Sequence, residues 1–132
     1  MRRRSKMNYK VIDQETYYRK GVFRHFTEDC KCSTSMTTRI DVTELVASSK
    51  ASGTKFYINF LYLLAKVLNS LNIELPDGYL YFLPIVNWGK YREENGRLVM
   101  PITVRINHAV ADGFLIANVF RLLDKEIAEF CR

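Results

Sequence analysis

The sequence predicts an α+β fold, a two-layer sandwich with helices on one face of a mixed, mostly antiparallel sheet. Three observations carry this expectation. Two segments alternate with period two: Cys32, Thr34, Met36, Thr38, Ile40 and Val42 stand against Ser33, Ser35, Thr37, Arg39 and Asp41, and Leu98, Met100, Ile102, Val104 and Ile106 share one face of 97–106. Two others place apolar residues at helical spacing: Tyr57, Phe60, Leu61, Leu64 and Leu68, then Ile116, Val119, Phe120, Leu123, Ile127 and Phe130. Glu94-Asn95-Gly96 reads as the tip of a hairpin joining the last two strands.

Taken in order, residues 1–7 read as a disordered basic lead and 8–132 as one domain. A short extended piece covers Tyr9 to Ile12. Asp13 is placed to cap a helix running to about Phe26, with Tyr17, Phe23 and Phe26 among its apolar positions. After the 32–42 strand, Thr43 is placed to cap a short helix through about Lys50, and Ser52-Gly53 is a loop. Thr54 is placed to cap the helix bearing the Tyr57–Leu68 stripe. Pro76-Asp77-Gly78 signals a turn, and Tyr79 to Val86 a strand interrupted by Pro84. There is no internal repeat and no low-complexity tract.

A chain of 132 residues is long enough for one core, burying about two-thirds of the surface its unfolded form exposes. Of the net charge of +6, Arg2, Arg3, Arg4 and Lys6 supply four units, leaving about +2 on the body. The body lacks the basic stripe interleaved with aromatics that single-strand nucleic-acid binding needs, so no nucleic-acid partner is expected. The most hydrophobic run, Phe56 to Leu68, contains Asn59 and Lys66 and is too short for a membrane span. No secretory leader is evident at the start, and the expected location is the cytoplasm with no membrane partner. Three cysteines, Cys30, Cys32 and Cys131, make no disulfide framework and suit a reducing compartment. His25, Cys30 and Cys32 lie close together, but Cys-x-Cys lacks the usual spacer and a fourth ligand is not evident, so no metal is expected.

The residues that carry chemistry lie in Asn107-His108-Ala109-Val110-Ala111-Asp112-Gly113-Phe114. An imidazole with an ordinary pKa of about 6.5 can take a proton from a hydroxyl and return it. Here it stands at a strand-to-helix corner, although a lone histidine on a strand is more often structural. Asp112, just before Gly-Phe and an amphipathic helix, is a favoured N-cap.

This stretch resembles the His-His-x-x-x-Asp-Gly signature of the chloramphenicol acetyltransferase family, with Asn107 at the first histidine, His108 at the second and Asp112 at the aspartate. The similarity extends through Met7-Asn8-Tyr9, Tyr18-Arg19-Lys20, the 32–42 strand, Lys55-Phe56-Tyr57, Trp88-Gly89-Lys90-Tyr91 and Asn95 to Pro101. The resemblance implies a reduced form of that fold. It implies His108 as general base, a structural ion pair between Asp112 and Arg19, and an acceptor pocket bordered by Phe26, Cys30, Cys32 and Thr34. That pocket would be offered across a homotrimer interface to the neighbouring subunit's histidine. Trp88, Lys90 and Tyr91 resemble the segment beside the coenzyme A tunnel. The implied activity is O-acetyl transfer to a small hydroxyl-bearing, chloramphenicol-like acceptor, with acetyl-CoA as co-substrate and no bound cofactor. From spacing alone, Phe26, Cys30, Cys32 and Thr34 equally suit core positions, and Lys90 a solvated hairpin charge.

Family members are considerably longer, and here the Leu61–Asn69 helix runs almost directly into Leu71-Asn72-Ile73. A central block carrying the family's oxyanion-stabilising serine is therefore expected to be absent, with Ser70 a loose substitute. Weak or lost activity follows, and the alternatives are a non-catalytic trimeric scaffold that binds a ligand or protein, or a chain that assembles through uncovered sheet edges.

Overall fold

The computed structural model describes residues 13, 15–71 and 83–132. The basic lead 1–7, the extended piece Tyr9–Ile12, the Pro76-Asp77-Gly78 turn and the 79–82 part of the expected strand lie outside the described residues.

In chain order the elements are α1 (Lys20–Arg24), continued by a π-helical turn (His25–Asp29), β1 (Ser33–Asp41), α2 (Thr43–Ala51), α3 (Phe56–Ser70), β2 (Ile85–Trp88), β3 (Arg92–Glu94), β4 (Arg97–Asn107) and α4 (Gly113–Phe130). β4 is central. β1 runs antiparallel to it from Ser33 opposite Asn107 to Asp41 opposite Val99. Its other edge carries β2, with Ile85 opposite Arg105, and β3, with Glu94 opposite Arg97. Every pairing among the described residues is antiparallel. Asn95 and Gly96, both at positive φ (52° and 76°), close the β3–β4 hairpin, the conformation for which Asn-Gly is suited.

The inward sheet face is Ile40, Val42, Met100, Ile102, Val104 and Ile106. Against it lie Leu45 and Val46 of α2, Phe60, Leu63, Leu64 and Val67 of α3, and Ile116, Val119, Phe120, Leu123 and Ile127 of α4, forming one core. The opposite sheet face is polar: Thr37 and Thr103 share a hydroxyl hydrogen bond of 2.8 Å, Arg105 donates to Ser33 Oγ, and Arg39 pairs with Glu94.

Three expected helix starts differ. Asp13 organises only a turn, accepting from the Glu15 N–H, and regular helix begins at Lys20. Thr43 does not cap α2. Val42 is the N-cap residue and α2 has no side-chain cap; just ahead of it Asp41 Oδ1 accepts from the N–H and hydroxyl of Thr43, while Thr43 Oγ1 accepts from the Leu98 N–H. Thr54 Oγ1 shares a hydrogen bond with the Ser52 hydroxyl and accepts from Asn59 Nδ2, and α3 is left without a side-chain cap. The buried stripe of α3 is rotated from the expected one: Phe60, Leu63, Leu64 and Val67 face the core, while Tyr57, Ile58, Leu61 and Tyr62 form an exposed row. Phe130 is also exposed.

Pro101 sits mid-strand in β4, where a missing N–H normally breaks a ladder. Its carbonyl accepts from the Gly89 N–H at 3.0 Å, and since both polar groups of a strand residue leave by one edge, the absent donor faces the break between β2 and β3. A Cβ on Gly89 would lie 2.9 Å from Pro101 Cγ, so only glycine lets the chain approach.

Gly89→Ala is expected to cost about 1–3 kcal/mol through this overlap, read as a lower urea midpoint at unchanged m-value. Asp41 gives a pH dependence. Burial disfavours its charge, but the Thr43 hydroxyl and N–H and the Arg97 guanidinium outweigh that and hold its pKa below the ordinary carboxylate value. Its contribution is thus present above the ordinary value and lost as pH falls through the folded one. Urea midpoints measured from about pH 6 down to about pH 3 should fall less steeply in Asp41→Asn than in the parent chain.

Candidate active site

The site is the corner between β4 and α4. Asn107 ends β4, and its side-chain Oδ1 accepts from the Ala109 N–H at 2.9 Å while its carbonyl receives the N–H groups of Val110 and Ala111, each at 3.2 Å. Asp112 then caps α4: its Oδ1 accepts from the Leu115 N–H at 3.0 Å. The chain is thus pinned on both sides of 108–111.

Within this frame His108 is fixed by three contacts. Its N–H donates to the Cys32 carbonyl at 3.1 Å, extending the β1–β4 ladder by one step. Its ring nitrogen Nδ1 lies 3.0 Å from the Ala111 carbonyl oxygen. A carbonyl only accepts, so Nδ1 carries the proton in this bond and the neutral ring keeps its lone pair on Nε2. The Phe26 ring stacks on the imidazole, centroids 4.2 Å apart at 18°. The bent chain of the π-helical turn brings Phe26 there, and the ring also meets His25 edge-on at 4.9 Å.

The acceptor-pocket residues divide. Phe26 contacts the histidine of its own chain, and Cys32 holds that histidine's backbone. Thr34 is opposite Ile106 on the inward face, and Cys30 is exposed. Burial, then the neighbouring Cys30, pushes the Cys32 thiol up. Arg19 Nη1 stands 3.8 Å from Asp112 Oδ2, the two residues that the family resemblance pairs. The pair is not buried on both sides, because the Asp112 side chain is 47% exposed.

Trp88, Lys90 and Tyr91 form a separate group. Trp88 is opposite Ile102, six residues along β4 from His108, or about 20 Å of strand. Its ring packs edge-on against Phe60 at 5.1 Å and near Tyr57 at 6.0 Å, and Tyr91 packs against Phe56 at 5.2 Å. Lys90 is exposed and makes no ion pair with a described residue. Ser70 ends α3 and gives its hydroxyl to the Val67 carbonyl at 2.7 Å. An open depression of about 450 Å³ lies elsewhere, bordered by Glu44, Ala47, Ser48, Ala51 and Cys131. Among the described residues no three His, Cys, Asp or Glu side chains gather as metal ligands, and no helix is long and apolar enough to cross a membrane.

Two contributors escape the motif: the Ala111 carbonyl, which belongs to no side chain, and the Asn107 amide. The Asn107 signal was legible, since Asn favours bonding to the backbone two residues on.

This architecture is the chloramphenicol acetyltransferase fold. The structure superposes on a solved chloramphenicol acetyltransferase with a TM-score of 0.77 at 18% identity, covering 93% of this chain and all of that one. The chloramphenicol acetyltransferase family model matches residues 7–75 and 68–124, and the chain belongs to that family. A Campylobacter coli chloramphenicol acetyltransferase is 46% identical over 54 residues, 41% of this chain and 25% of that protein. Chloramphenicol acetyltransferase 3 of Escherichia coli is 37% identical over 57 residues, covering 43% and 27%. The Vibrio anguillarum enzyme aligns at 21% over 196 positions, 82% of this chain and 89% of its own. An alignment of 196 positions bridges a gap in a chain of 132 residues, and the two family-model segments meet at 68–75, just where α3 ends.

The exposure of Asp112 lowers the expected worth of its ion pair from the 3 kcal/mol scale of a buried one to below about 1 kcal/mol. Denaturation of Asp112→Ala should therefore register about 1–2 kcal/mol, mostly the lost cap, while Asp112→Asn, which keeps a capping oxygen, should cost less than half of that.

Proposed function

We propose that this chain is a shortened acetyl-CoA-dependent O-acetyltransferase with His108 as its general base. The observation that carries the reading is the Nδ1 contact to the Ala111 carbonyl, which leaves Nε2 as the proton acceptor. Nε2 takes the proton of an acceptor hydroxyl, the alkoxide attacks the thioester carbonyl of acetyl-CoA, and collapse of the tetrahedral adduct expels coenzyme A thiolate, which recovers the proton from the imidazolium. No acyl-enzyme forms. Asp112 and Arg19 hold the corner and do not exchange protons with substrate.

The acceptor is a small, chloramphenicol-like alcohol bordered by Phe26, Cys30, Cys32 and Thr34, and the coenzyme lies along Trp88, Lys90 and Tyr91. Family membership supports both assignments. The working assembly is a homotrimer acting in the cytoplasm. Because Phe26 stacks on its own chain's imidazole, one subunit already supplies one wall beside the base.

Turnover is slow in this reading. In this reading the block that carries the family's oxyanion-stabilising serine is missing after α3, and the Ser70 hydroxyl, engaged within its own helix, does not replace it. Absence of one such donor usually costs about 100- to 1000-fold in kcat. That same observation favours a second reading, a non-catalytic trimeric scaffold that binds the ligands without turnover.

Thiol release from acetyl-CoA in the presence of chloramphenicol distinguishes the two. Acceptor-dependent release that drops about 100-fold or more in His108→Ala is expected. Stable trimers releasing no thiol, with His108→Ala indistinguishable from the parent chain, would select the scaffold.

A further inference from the structure

We infer that Asn107 is a positioning residue that sets the tautomer of His108, an assignment that rests on the reading of His108 as the base. The Asn107 side chain is nearly fully buried, 2% exposed, and takes part in the corner only through its oxygen, which accepts from Ala109. Its Nδ2 is buried with no hydrogen-bond partner among the described residues. Turning the amide over would aim Nδ2 at the Ala109 N–H, donor against donor, so the orientation is dictated by the backbone it serves.

A buried donor without a partner is a cost that an apolar or hydroxyl side chain would avoid. What the amide supplies in return is the shape of the turn. The Oδ1 bond fixes residue 109, the Asn107 carbonyl gathers the N–H groups of Val110 and Ala111, and the turn so made aims the Ala111 carbonyl back at His108 Nδ1. Asn107 therefore acts on the imidazole without touching it. The chain of contacts runs from Oδ1 through the 109–111 backbone to the ring proton. Without the turn, Nδ1 loses its acceptor, the Nε2-protonated tautomer gains population, and a ring in that form cannot accept a proton at Nε2.

Asn107→Ala removes the acceptor. Asn107→Ser keeps one, because a hydroxyl can bond the N–H two residues on, and deletes the unpartnered amide. Long-range ¹⁵N–¹H spectra of the His108 ring report the tautomer directly, without reference to turnover. The parent chain and Asn107→Ser should show predominantly Nδ1-protonated neutral imidazole, and Asn107→Ala a mixture with the other form. Acetyl transfer should fall at least about tenfold in kcat for Asn107→Ala, with KM changing less, and recover in Asn107→Ser. An unchanged tautomer in Asn107→Ala, or an Asn107→Ser chain that has lost it, overturns the proposal. Should Asn107→Ala fail to fold, loss of the tautomer in Asn107→Ser still overturns the proposal. If the tautomer responds as expected while the parent chain transfers no acetyl group, the positioning role stands and the catalytic reading falls.

Discussion

The pairing of β1 with β4 is the constraint on which the rest of the molecule depends. It runs unbroken over nine residue pairs and brings segments far apart in sequence into one register. A slip by one residue would turn Ile40, Met100, Ile102, Val104 and Ile106 away from the helices, so burial of that face locks the register. The lock extends past the last ladder pair: the Cys32 carbonyl receives the His108 N–H because Ser33 stands opposite Asn107. The histidine is thus placed by core hydrophobicity acting through the ladder.

Much of this was legible in the sequence, for identifiable reasons. The inward stripe of β4, the Asn-Gly hairpin and the buried positions Ile116 to Ile127 of α4 follow from period and turn chemistry. Asp112 was legible as a cap because no competing acceptor precedes α4. Helix starts differ where a neighbouring side chain engages the expected cap: Asp41 binds the N–H and hydroxyl of Thr43, and α2 carries no side-chain cap. The buried face of α3 was misjudged because that helix is apolar nearly all round. Packing against its neighbours, which periodicity cannot report, selects Leu63 and Val67 over Tyr57 and Leu61.

The candidate site shows the same division. The family resemblance pointed to His108 and implied the pair of Asp112 with Arg19, whose side chains stand 3.8 Å apart. It did not reveal the π-helical turn that lays Phe26 on the imidazole, nor the backbone oxygen that holds Nδ1. Those depend on local backbone path. Family membership adds the frame, matched in two segments, residues 7–75 and 68–124. The core joins α2 and α3 from the first of these segments with β4 and α4 from the second.

The proline in β4 has a mechanical consequence. Along the edge facing β1 the strand is stitched continuously, whereas along the other it is gripped by two short segments with a proline-spanned interruption between them. Such a strand is stiff on one side and jointed on the other. The imidazole hangs from the stitched side, through the His108 N–H to the Cys32 carbonyl, while Trp88 and Tyr91 stand on either side of the interruption.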